Sequence, residues 1–438
     1  MSELVLIVDD EPGILTTLSS VLTDEGFRTL CTESGEEALR LYEKERPDVV
    51  FLDVWLPDRD GLETLEAIRE QDPAAAVIMM SGHGTTGTAV KAIKMGAVDY
   101  IEKPLSYNQA VESVQAALAF RRSVATNAAL LRSLEKRADR MDTNRTFGLP
   151  QVPLLQLGSQ PQRTIAKSTV LYGLGLHSGQ RTGMAIQPLP PDSGIHFVTL
   201  PDNVQIPAFV GSVAETSYAT TLFGNGAQIK TVEHFLSAAH AYGVTNLLIK
   251  VHGEIPVLDG SALEFCSTLA EIGVVDQDAA RREIVIDRLY EVADGEKRLR
   301  IEPDDEFRIS YLLRYPQPIG EQHYEFGPLR VDDYEREIAP ARTFGFLKDV
   351  NMMNELGLGS GGRLDNCILV GEDNVVNTEL RFVDEFVRHK ILDVIGDLYL
   401  LGYPIKGKVT ASLTGHRDNI SILRIILAEN EGDVSSDA

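Results

Sequence analysis

Cysteine is scarce in this sequence of 438 residues. The three cysteines, Cys31, Cys266 and Cys367, lie far apart and form no C-x-x-C pair. This spacing argues against a disulfide framework and against a thiolate metal site, and it is typical of proteins from a reducing compartment.

Long apolar runs are also missing, and no stretch approaches the roughly 20 residues that a bilayer-spanning helix needs. The sequence starts with Met1-Ser2-Glu3 and enters a predicted strand at once, so we expect no signal peptide. Together with the cysteine content, this predicts a cytoplasmic protein. The sequence is compatible with a transient contact with a membrane surface. It does not predict the oligomeric state.

Basic residues are outnumbered, with 41 Lys and Arg against 65 Asp and Glu, which gives a net charge of −24. A chain this acidic is not expected to bind nucleic acid. The pattern G-x-x-x-x-G-K-[ST] is absent as well, which argues against a P-loop ATPase. The hydrophobic content of 43% is typical of a globular protein, and the length predicts two or three domains.

The first 120 residues alternate short apolar runs with amphipathic stretches in a repeated strand–helix rhythm. Nearly continuous apolar runs are typical of parallel strands that are buried on both faces. The predicted strands are Leu4–Val8, Arg28–Cys31, Val49–Asp53, Ala76–Ser81 and Val98–Glu102. The rhythm predicts an α/β doubly wound domain with a five-stranded parallel sheet and a site at the carboxyl ends of its strands.

Polar residues follow these strand ends. Asp9 and Asp10 follow the first strand, Asp53 ends the third, and Lys103 follows the fifth. Three carboxylates at one sheet edge repel each other and favour a divalent cation, and oxygen ligands favour magnesium. Asp53 could then attack phosphorus, while Lys103 neutralises charge on the phosphoryl group. A single Asp at the end of a strand often has no function. That explanation does not account for four charged residues at the ends of three predicted strands.

Two segments of this region resemble response-regulator receiver domains of two-component signalling. They are Ser81-Gly82-His83-Gly84 and Val98-Asp99-Tyr100-Ile101-Glu102-Lys103-Pro104. The resemblance implies that Asp53 is the phosphorylation site and that Ser81, Tyr100 and Lys103 form the switch. It also implies a sensor histidine kinase or another phosphodonor as partner.

Two short motifs about 155 residues apart stand out in the rest of the chain, Thr231-Val232-Glu233-His234 and His389-Lys390-Ile391-Leu392-Asp393. On a helix, His389 and Asp393 leave the same face because they are four residues apart. Two imidazoles and one carboxylate, with a position left for water, form a catalytic zinc site. Glu233 could take a proton from that water, and His416 could protonate a leaving group. The H-x-x-x-D spacing alone often arises by chance.

Six ordered segments resemble the UDP-3-O-acyl-N-acetylglucosamine deacetylases, which are zinc amidases of lipid A biosynthesis. The resemblance runs from residue 163 to about 428. The segments are Gly173-Leu174-Gly175-Leu176-His177-Ser178-Gly179, Lys230-Thr231-Val232-Glu233-His234, Glu254-Ile255-Pro256-Val257-Leu258-Asp259-Gly260-Ser261-Ala262, Ala341-Arg342-Thr343-Phe344-Gly345-Phe346, Phe382-Val383-Asp384-Glu385-Phe386-Val387-Arg388-His389-Lys390 and Gly415-His416.

That resemblance implies an α+β domain of two similar halves, about 162–285 and 286–430, with the zinc between them. The implied site comprises catalytic Glu233, Thr343, Lys390, Asp397 and His416, zinc ligands His234, His389 and Asp393, and substrate-binding Phe344 and Lys390. Thr343 would stabilise the oxyanion, and Asp397 would orient His416. Lys390 would bind the nucleotide end or assist at the oxyanion, and residues near Leu356–Leu358 would help form an acyl passage.

The predicted organisation is a receiver domain over residues 1–120, a helical extension and flexible linker over 121–161, the deacetylase domain over 162–430 and a disordered tail over 431–438. The resemblance implies hydrolysis of the N-acetyl group of an acylated UDP-sugar, modulated by phosphorylation. The alternative is a signalling protein whose second domain only senses a sugar nucleotide. Glu233 favours the enzyme, because binding alone needs no base.

Overall fold

The structure of the chain is a computed structural model that describes residues 3–72, 74–82, 91–92, 95–103, 105–107, 109–118, 121, 147–200, 202–349, 352, 358–362 and 366–429. The chain divides into two compact units, Met1–Leu130 and Leu131–Ala438. Within the described ranges, no helix combines the length and apolar character needed to cross a membrane. The predicted helical extension beyond residue 121, the linker up to residue 146 and the tail 431–438 lie outside them.

The amino-terminal unit is built on a parallel sheet with the strand order β2-β1-β3-β4-β5. Its strands are β1 (Leu4–Val8), β2 (Arg28–Thr32), β3 (Val49–Asp53), β4 (Val77–Ser81) and β5 (Asp99–Glu102). The named helices are α1 (Pro12–Asp24), α2 (Gly35–Glu45) and α3 (Gly61–Gln71), and residues 109–118 are helical as well. The predicted five-stranded parallel sheet is confirmed, and each strand ends within one residue of its predicted bounds.

Successive residues of β1 belong to two different hydrophobic cores, one on each face of this sheet. Val5 and Ile7 pack in one core, while Leu6 and Val8 pack in the other. Because both faces are covered, the strand must be apolar at every position. The carboxyl ends of the parallel strands meet at one edge, which is where the predicted acidic residues stand.

Gly61 lets the first turn of α3 approach the end of β3 closely. A Cβ atom at this position would lie 1.9 Å from the carbonyl oxygen of Asp53. Any larger residue would therefore displace the strand end that carries the predicted nucleophile.

The carboxy-terminal unit contains several mixed or antiparallel sheets. A five-stranded sheet has the order β10-β9-β14-β8-β7, and a seven-stranded sheet contains β16-β17-β22-β15-β6 with β18 and β19. Its first strands are β6 (Leu155–Ile165), β7 (Thr169–Leu174), β8 (Arg181–Pro188), β9 (Ile195–Thr199), β10 (Gln205–Pro207), β11 (Val213–Glu215), β12 (Thr221–Gly224), β13 (Ala227–Ile229) and β14 (Leu247–Val251). The later strands are β15 (Val274–Val285), β16 (Tyr290–Asp294), β17 (Lys297–Glu302), β18 (Phe307–Arg314), β19 (Glu321–Phe326), β20 (Phe344–Phe346), β21 (Ile368–Val370) and β22 (Ile405–Ser412).

The named helices of this unit are α4 (Glu233–Ala241), α5 (Leu263–Ile272), α6 (Val331–Glu337), α7 (Glu385–Leu398) and α8 (His416–Ala428). Helix and strand together make an α+β unit, as expected. The predicted domain bounds and the predicted halves stay predictions.

The structure differs from the predicted linker at its carboxyl end. Residues 155–161 belong to β6, which pairs with β15 in an antiparallel ladder. Pro161 stands opposite Ala280, where the register of this ladder shifts on both sides. Proline lacks an N–H donor, so an irregular position in a ladder tolerates it. The flexible linker was predicted from the prolines at 150, 153 and 161, but around Pro161 the chain forms a bulged strand.

Helices α4 and α7 pack against each other at a glycine. A Cβ atom at Gly396 would lie 2.0 Å from the carbonyl oxygen of Glu233. This close approach brings the start of α4, with Glu233 and His234, next to the last turns of α7. The two motifs far apart in sequence thus meet at one helix crossing.

We expect the buried His240 to make the carboxy-terminal unit sensitive to acid. His240 stacks on Tyr399 with a centroid distance of 4.3 Å, and its Nδ1 lies 3.1 Å from the carbonyl oxygen of Ile395. Burial lowers the pKa of His240 from its ordinary value of 6.5 to about 4. The unfolded chain thus takes up a proton near pH 6.5, whereas the folded chain takes it up only near pH 4. The contribution of neutral His240 is complete above pH 6.5 and is lost as the pH falls towards 4.

His240→Phe keeps an aromatic ring for the stack and removes the titrating group. Between pH 6.5 and 4, the wild-type free energy of unfolding should fall faster than that of the variant, by up to about 1.4 kcal/mol per pH unit. Denaturant unfolding at a series of pH values measures the difference. Parallel pH curves for the two proteins would contradict the prediction.

Candidate active site

The three predicted zinc ligands come together where α4 meets α7. His234, His389 and Asp393 are all buried, and one candidate ligand atom from each lies within 4.8 Å of the others. Nε2 of His234 is 3.7 Å and Nε2 of His389 is 3.5 Å from Oδ1 of Asp393. The predicted one-face arrangement of residues 389 and 393 on a helix is thus present in α7.

The residues of this cluster fit a metal ion. Oδ1 of Asp393 is buried and has no hydrogen-bond partner among the described residues, and Nε2 of each histidine faces it. Nδ1 of His389 lies 3.1 Å from the carbonyl oxygen of Ala341. A proton on that nitrogen leaves Nε2 with a free lone pair towards Asp393. A buried carboxylate oxygen without a partner is costly unless a cation binds it.

The charge states of these residues also suit a cation. Burial, together with His389, lowers the pKa of His234 to about 3, so its ring is neutral near pH 7. Burial alone would raise the pKa of Asp393, but the charge of Lys390 is the main influence that holds this pKa well below its ordinary value. Two neutral imidazoles and one carboxylate form a ligand set that zinc prefers.

Glu233 and His416 flank the cluster. Oε1 of Glu233 lies 3.9 Å from Nε2 of His416. Burial raises the pKa of Glu233 to about 8, against the effect of His416. Burial would lower the pKa of His416, but Asp397 outweighs it and raises this pKa to about 9. At this pKa Glu233 holds its proton at pH 7 as long as no cation is bound. A nearby positive charge lowers the pKa of a carboxyl, so a cation at the cluster would make Glu233 the group that accepts a proton, while the charged His416 is suited to donate one.

Asp397 contacts His416, and two further residues contact Asp397. Nδ1 of His416 lies 2.8 Å from Oδ2 of Asp397, to which Nδ2 of Asn419 also donates, at 2.9 Å. The Oγ1 hydroxyl of Thr220 donates to Oδ1 of Asp397 at 2.6 Å. Sequence reasoning missed Thr220 and Asn419, because neither stands in a recognisable motif.

Lys390 forms an ion pair with the ligand carboxylate. Its Nζ donates to Oδ2 of Asp393 at 2.7 Å. Burial would lower the pKa of Lys390, but the charge of Asp393 outweighs this effect and raises it. The ammonium group therefore stays charged at the edge of the cluster.

A cavity of about 640 Å³ opens beside these residues. Thr343, Phe344, Lys390 and His416 line it together with the three candidate metal ligands. Its apolar wall includes Leu176, Tyr315, Phe346 and Leu369. Of the predicted acyl passage near Leu356–Leu358, only residue 358 is described.

The segment that carries Thr343 is fixed to the start of α7 by a buried ion pair. The backbone N–H and Nε of Arg342 donate to Oε1 of Glu385 at 3.0 and 2.8 Å. On either side of Arg342, the carbonyl oxygen of Ala341 lies beside His389, and the N–H of Thr343 donates to the carbonyl oxygen of Gly260. These contacts place Thr343 at the cavity wall.

His177, which lines the cavity, forms a further buried group with Glu254. Both ring nitrogens of His177 are buried without a hydrogen-bond partner among the described residues, and burial lowers the pKa of this ring. The carboxylate of Glu254 accepts from the N–H groups of His177 and Ser178 and from the hydroxyl of Thr231. Both residues stand in the segments that carry the family resemblance, but no role was predicted for them.

The amino-terminal unit brings its predicted residues together at the sheet edge. Asp9 and Asp53 are buried, Asp10 is exposed, and one oxygen from each lies within 4.8 Å of the others. Nζ of Lys103 is 2.7 Å from Oδ2 of Asp9 and 2.7 Å from Oδ2 of Asp53. Burial raises the pKa of Asp9, against the effect of Lys103. This cluster of oxygens fits a hard divalent cation.

Ser81 and Tyr100, two of the three predicted switch residues, lie on the neighbouring strands β4 and β5. Ser81 is fully buried, and its carbonyl oxygen accepts from the N–H of Lys103. The hydroxyl of Tyr100 is buried and has no hydrogen-bond partner among the residues that the structure describes.

Comparison with known proteins identifies relatives of both units. Residues 162–428 match the family of UDP-3-O-acyl N-acetylglycosamine deacetylases, and residues 5–115 match the response regulator receiver domain. UDP-3-O-acyl-N-acetylglucosamine deacetylase of Myxococcus xanthus is 42% identical over 278 residues, which are 62% of this chain and 88% of that protein. The Helicobacter pylori deacetylase is 40% identical over 270 residues, or 61% of this chain and 92% of that protein.

A solved structure resembles the amino-terminal unit. The receiver domain of NtrX from Brucella abortus is 41% identical and covers 26% of this chain and 98% of that domain, with a TM-score of 0.26.

Proposed function

Because the chain belongs to the UDP-3-O-acyl N-acetylglycosamine deacetylase family, we propose that it hydrolyses the N-acetyl group of UDP-3-O-(3-hydroxyacyl)-N-acetylglucosamine in lipid A biosynthesis. The reaction depends on zinc, and phosphorylation of Asp53 modulates it. The observation that carries this proposal is the buried His234, His389 and Asp393 cluster with Glu233 and His416 beside it. A sensor of sugar nucleotides would need no such pair of proton-transfer groups, so this alternative is not favoured.

Zinc held by His234, His389 and Asp393 would polarise the acetamide carbonyl and acidify water. Glu233 accepts a proton from the water that attacks the carbonyl carbon. As the carbon–nitrogen bond breaks, His416 donates a proton to the nitrogen, so that acetate and the free amine result. Asp397 keeps the ring of His416 oriented throughout, through the Nδ1 contact of 2.8 Å.

Thr343 and Lys390 act on the substrate from the cavity wall. The Thr343 hydroxyl donates to the oxyanion that forms during attack, an interaction worth roughly 3–4 kcal/mol in other enzymes. Lys390 keeps a positive charge near the oxyanion or the nucleotide phosphates. Phe344 stands at the wall in edge contact with Phe386 and His389, with centroid distances of 5.0 and 6.2 Å. It would pack against the sugar.

The apolar wall of the cavity suits an acyl chain, which gives a direct test of the substrate class. Purified chain should release acetate from the 3-O-acylated UDP-sugar and much less from UDP-N-acetylglucosamine at equal concentration. Liquid chromatography of the amine product measures both. Equal rates on the two substrates would contradict the acyl-binding role of the cavity, and no release from the acylated one would contradict the activity.

In the amino-terminal unit, Asp9, Asp10 and Asp53 would bind magnesium, which supplies charge neutralisation for phosphoryl transfer. A carboxylate oxygen of Asp53 attacks the phosphorus of a phosphohistidine on a sensor kinase or of a small phosphodonor. The P–N or P–O bond to the donor breaks, and the dephosphorylated donor leaves. Lys103 lies between Asp9 and Asp53 and stays charged, since their hydrogen bonds raise its pKa against the effect of burial. It can therefore stabilise the transferred phosphoryl group.

The segment 147–154, here called the strap, supports the proposed regulation. It precedes β6 and lies outside residues 162–428, which match the deacetylase family. The Tyr403 hydroxyl donates to the carbonyl oxygen of Pro150 at 2.8 Å, and Val152 is buried in the core of the carboxy-terminal unit. Tyr403 follows shortly after α7, which carries the metal ligands. A change in the strap would therefore act close to the catalytic helix.

Phosphorylation should label Asp53 and change the rate of deacetylation. Treatment with acetyl phosphate and magnesium should label the wild-type chain but not Asp53→Asn, which lacks the nucleophilic oxygen. Typical coupling energies of about 1–3 kcal/mol predict a change of roughly 5–150-fold in substrate affinity. Intact mass and deacetylation kinetics on the same samples measure both effects.

Tyr403→Phe is the matched variant for the strap, since it removes one hydrogen bond and keeps the ring. It should still be labelled, but its rate should respond less to labelling. Label on Asp53→Asn would contradict the acceptor. Identical kinetics of labelled and unlabelled wild-type chain would contradict the coupling and leave the deacetylase activity standing.

A further inference from the structure

Thr220 is a buried residue that contacts both proton-transfer groups of the candidate site. It lies directly before β12 and has no exposed surface. Its backbone N–H donates to Oε2 of Glu233 at 3.2 Å, and its hydroxyl donates to Oδ1 of Asp397 at 2.6 Å. A third bond joins its carbonyl oxygen to the N–H of Val232, at 3.4 Å. One residue thus connects the start of α4 with the carboxylate that holds His416.

The contact with Asp397 fixes the plane of its carboxylate. Asp397 is fully buried, and both of its carboxylate oxygens are hydrogen-bonded. Oδ1 accepts from Thr220, while Oδ2 lies beside Asn419 and His416. Asp397 is 177 residues away from Thr220 in sequence, so this bond ties two distant parts of the unit together. With Oδ1 held in place, Oδ2 points at Nδ1 of His416.

The contact with Glu233 fixes its carboxylate in a similar way. The N–H of Thr220 donates to Oε2 of Glu233. The other carboxyl oxygen, Oε1, faces His416 and lies 3.9 Å from its Nε2. A hydrogen bond to a carboxyl oxygen is stronger in a buried site than in water, and it is directional. Both carboxylates are therefore oriented by the same residue.

We propose that Thr220 is a positioning residue that sets Glu233 and His416 relative to each other for proton transfer. The proposal rests on the deacetylase activity proposed above. Thr220 acts on His416 through Asp397 and on Glu233 directly, and it touches no substrate. It is fully buried and is not among the described residues that line the cavity.

Thr220→Val tests the hydroxyl, because valine keeps the β-branched shape and the backbone N–H. The variant leaves Oδ1 of Asp397 buried without its donor, so the carboxylate and the ring of His416 lose their fixed orientation. Outer partners of this kind are typically worth about 10–100-fold in activity. We expect kcat to fall by that factor, while KM changes less than about twofold because the cavity wall is intact.

Thr220→Ser keeps the hydroxyl and should restore most of the wild-type kcat. Thr221→Val is the matched control, since it makes the same change at the next residue, which is also buried. It should leave kcat and KM near their wild-type values. Zinc content and melting temperature of all variants are measured on the same preparations.

Three results would overturn the positioning role while the wild-type chain is active. They are an unchanged kcat in Thr220→Val, an equal loss in Thr220→Ser, and a loss of kcat that follows lost zinc. If Thr220→Val does not fold, Thr220→Ala replaces it in the same comparison with Thr220→Ser. A wild-type chain that releases no acetate would overturn the proposed function itself and the role of Thr220 with it.

Discussion

Glu233→Gln should bind as much zinc as the wild-type chain and lose most of its turnover. Glutamine keeps the shape of the side chain, and its amide oxygen can still accept from the N–H of Thr220, which bonds Oε2 in the wild type at 3.2 Å. It cannot accept a proton from water near neutral pH. Base catalysis typically contributes about 10²–10⁴-fold, so kcat should fall by that factor while KM stays similar. Acetate release and metal analysis on one preparation measure both properties.

Glu271→Gln is a suitable control, because Glu271 is exposed on α5. It should behave as the wild type in both assays. Full activity of Glu233→Gln would contradict its role as the base. Loss of zinc from this variant would show that Glu233 acts on the metal instead.

His389→Ala should lose the metal itself and with it all measurable hydrolysis. The change removes one of three ligands and leaves Oδ1 of Asp393 with a single imidazole beside it, at 3.7 Å. Lys390 already pairs with Oδ2 of Asp393 at 2.7 Å and would then neutralise that carboxylate more fully. Zinc affinity should fall by more than about 100-fold, which is the upper range for the loss of an outer partner.

The matched control is His323→Ala, since His323 is exposed and pairs with Ser310 on the neighbouring strand. That variant should keep its zinc. Competition with a chromogenic chelator measures the affinities of all three proteins. Wild-type affinity in His389→Ala would mean that the cluster at the α4–α7 crossing is not the zinc site.

Local patterns were sufficient to predict the parallel sheet and the chemical groups at its edge. The strands β1, β3 and β4 are short and nearly continuous apolar runs, so their bounds could be read from residue types. The strands β2 and β5 contain polar residues and were placed by the repeated strand–helix rhythm. The four-residue spacing of His389 and Asp393 likewise needed only helical geometry. The positions of Glu233 and His234 relative to α7 came from family resemblance, because no local rule predicts a helix crossing.

The remaining contacts depend on the tertiary fold and left no signal in the sequence. Thr220 meets Asp397 across 177 residues, and Arg342 meets Glu385 across 43. Threonine before a strand and arginine in a loop are common, so their residue types predict nothing. The start of β6 was missed for a different reason, since Pro161 is accommodated by a shifted ladder register that a proline count does not predict.

Acetate release by metal-free and zinc-reconstituted chain decides whether the cluster at the α4–α7 crossing is a hydrolytic metal centre. The purified full chain is stripped with a chelator, freed of it, and assayed on the 3-O-acylated UDP-sugar with increasing zinc. The stripped chain should release no acetate, and activity should return in proportion to zinc until about one ion is bound per chain. Unchanged hydrolysis by the stripped chain, or no hydrolysis after zinc is fully restored, would contradict the proposed function.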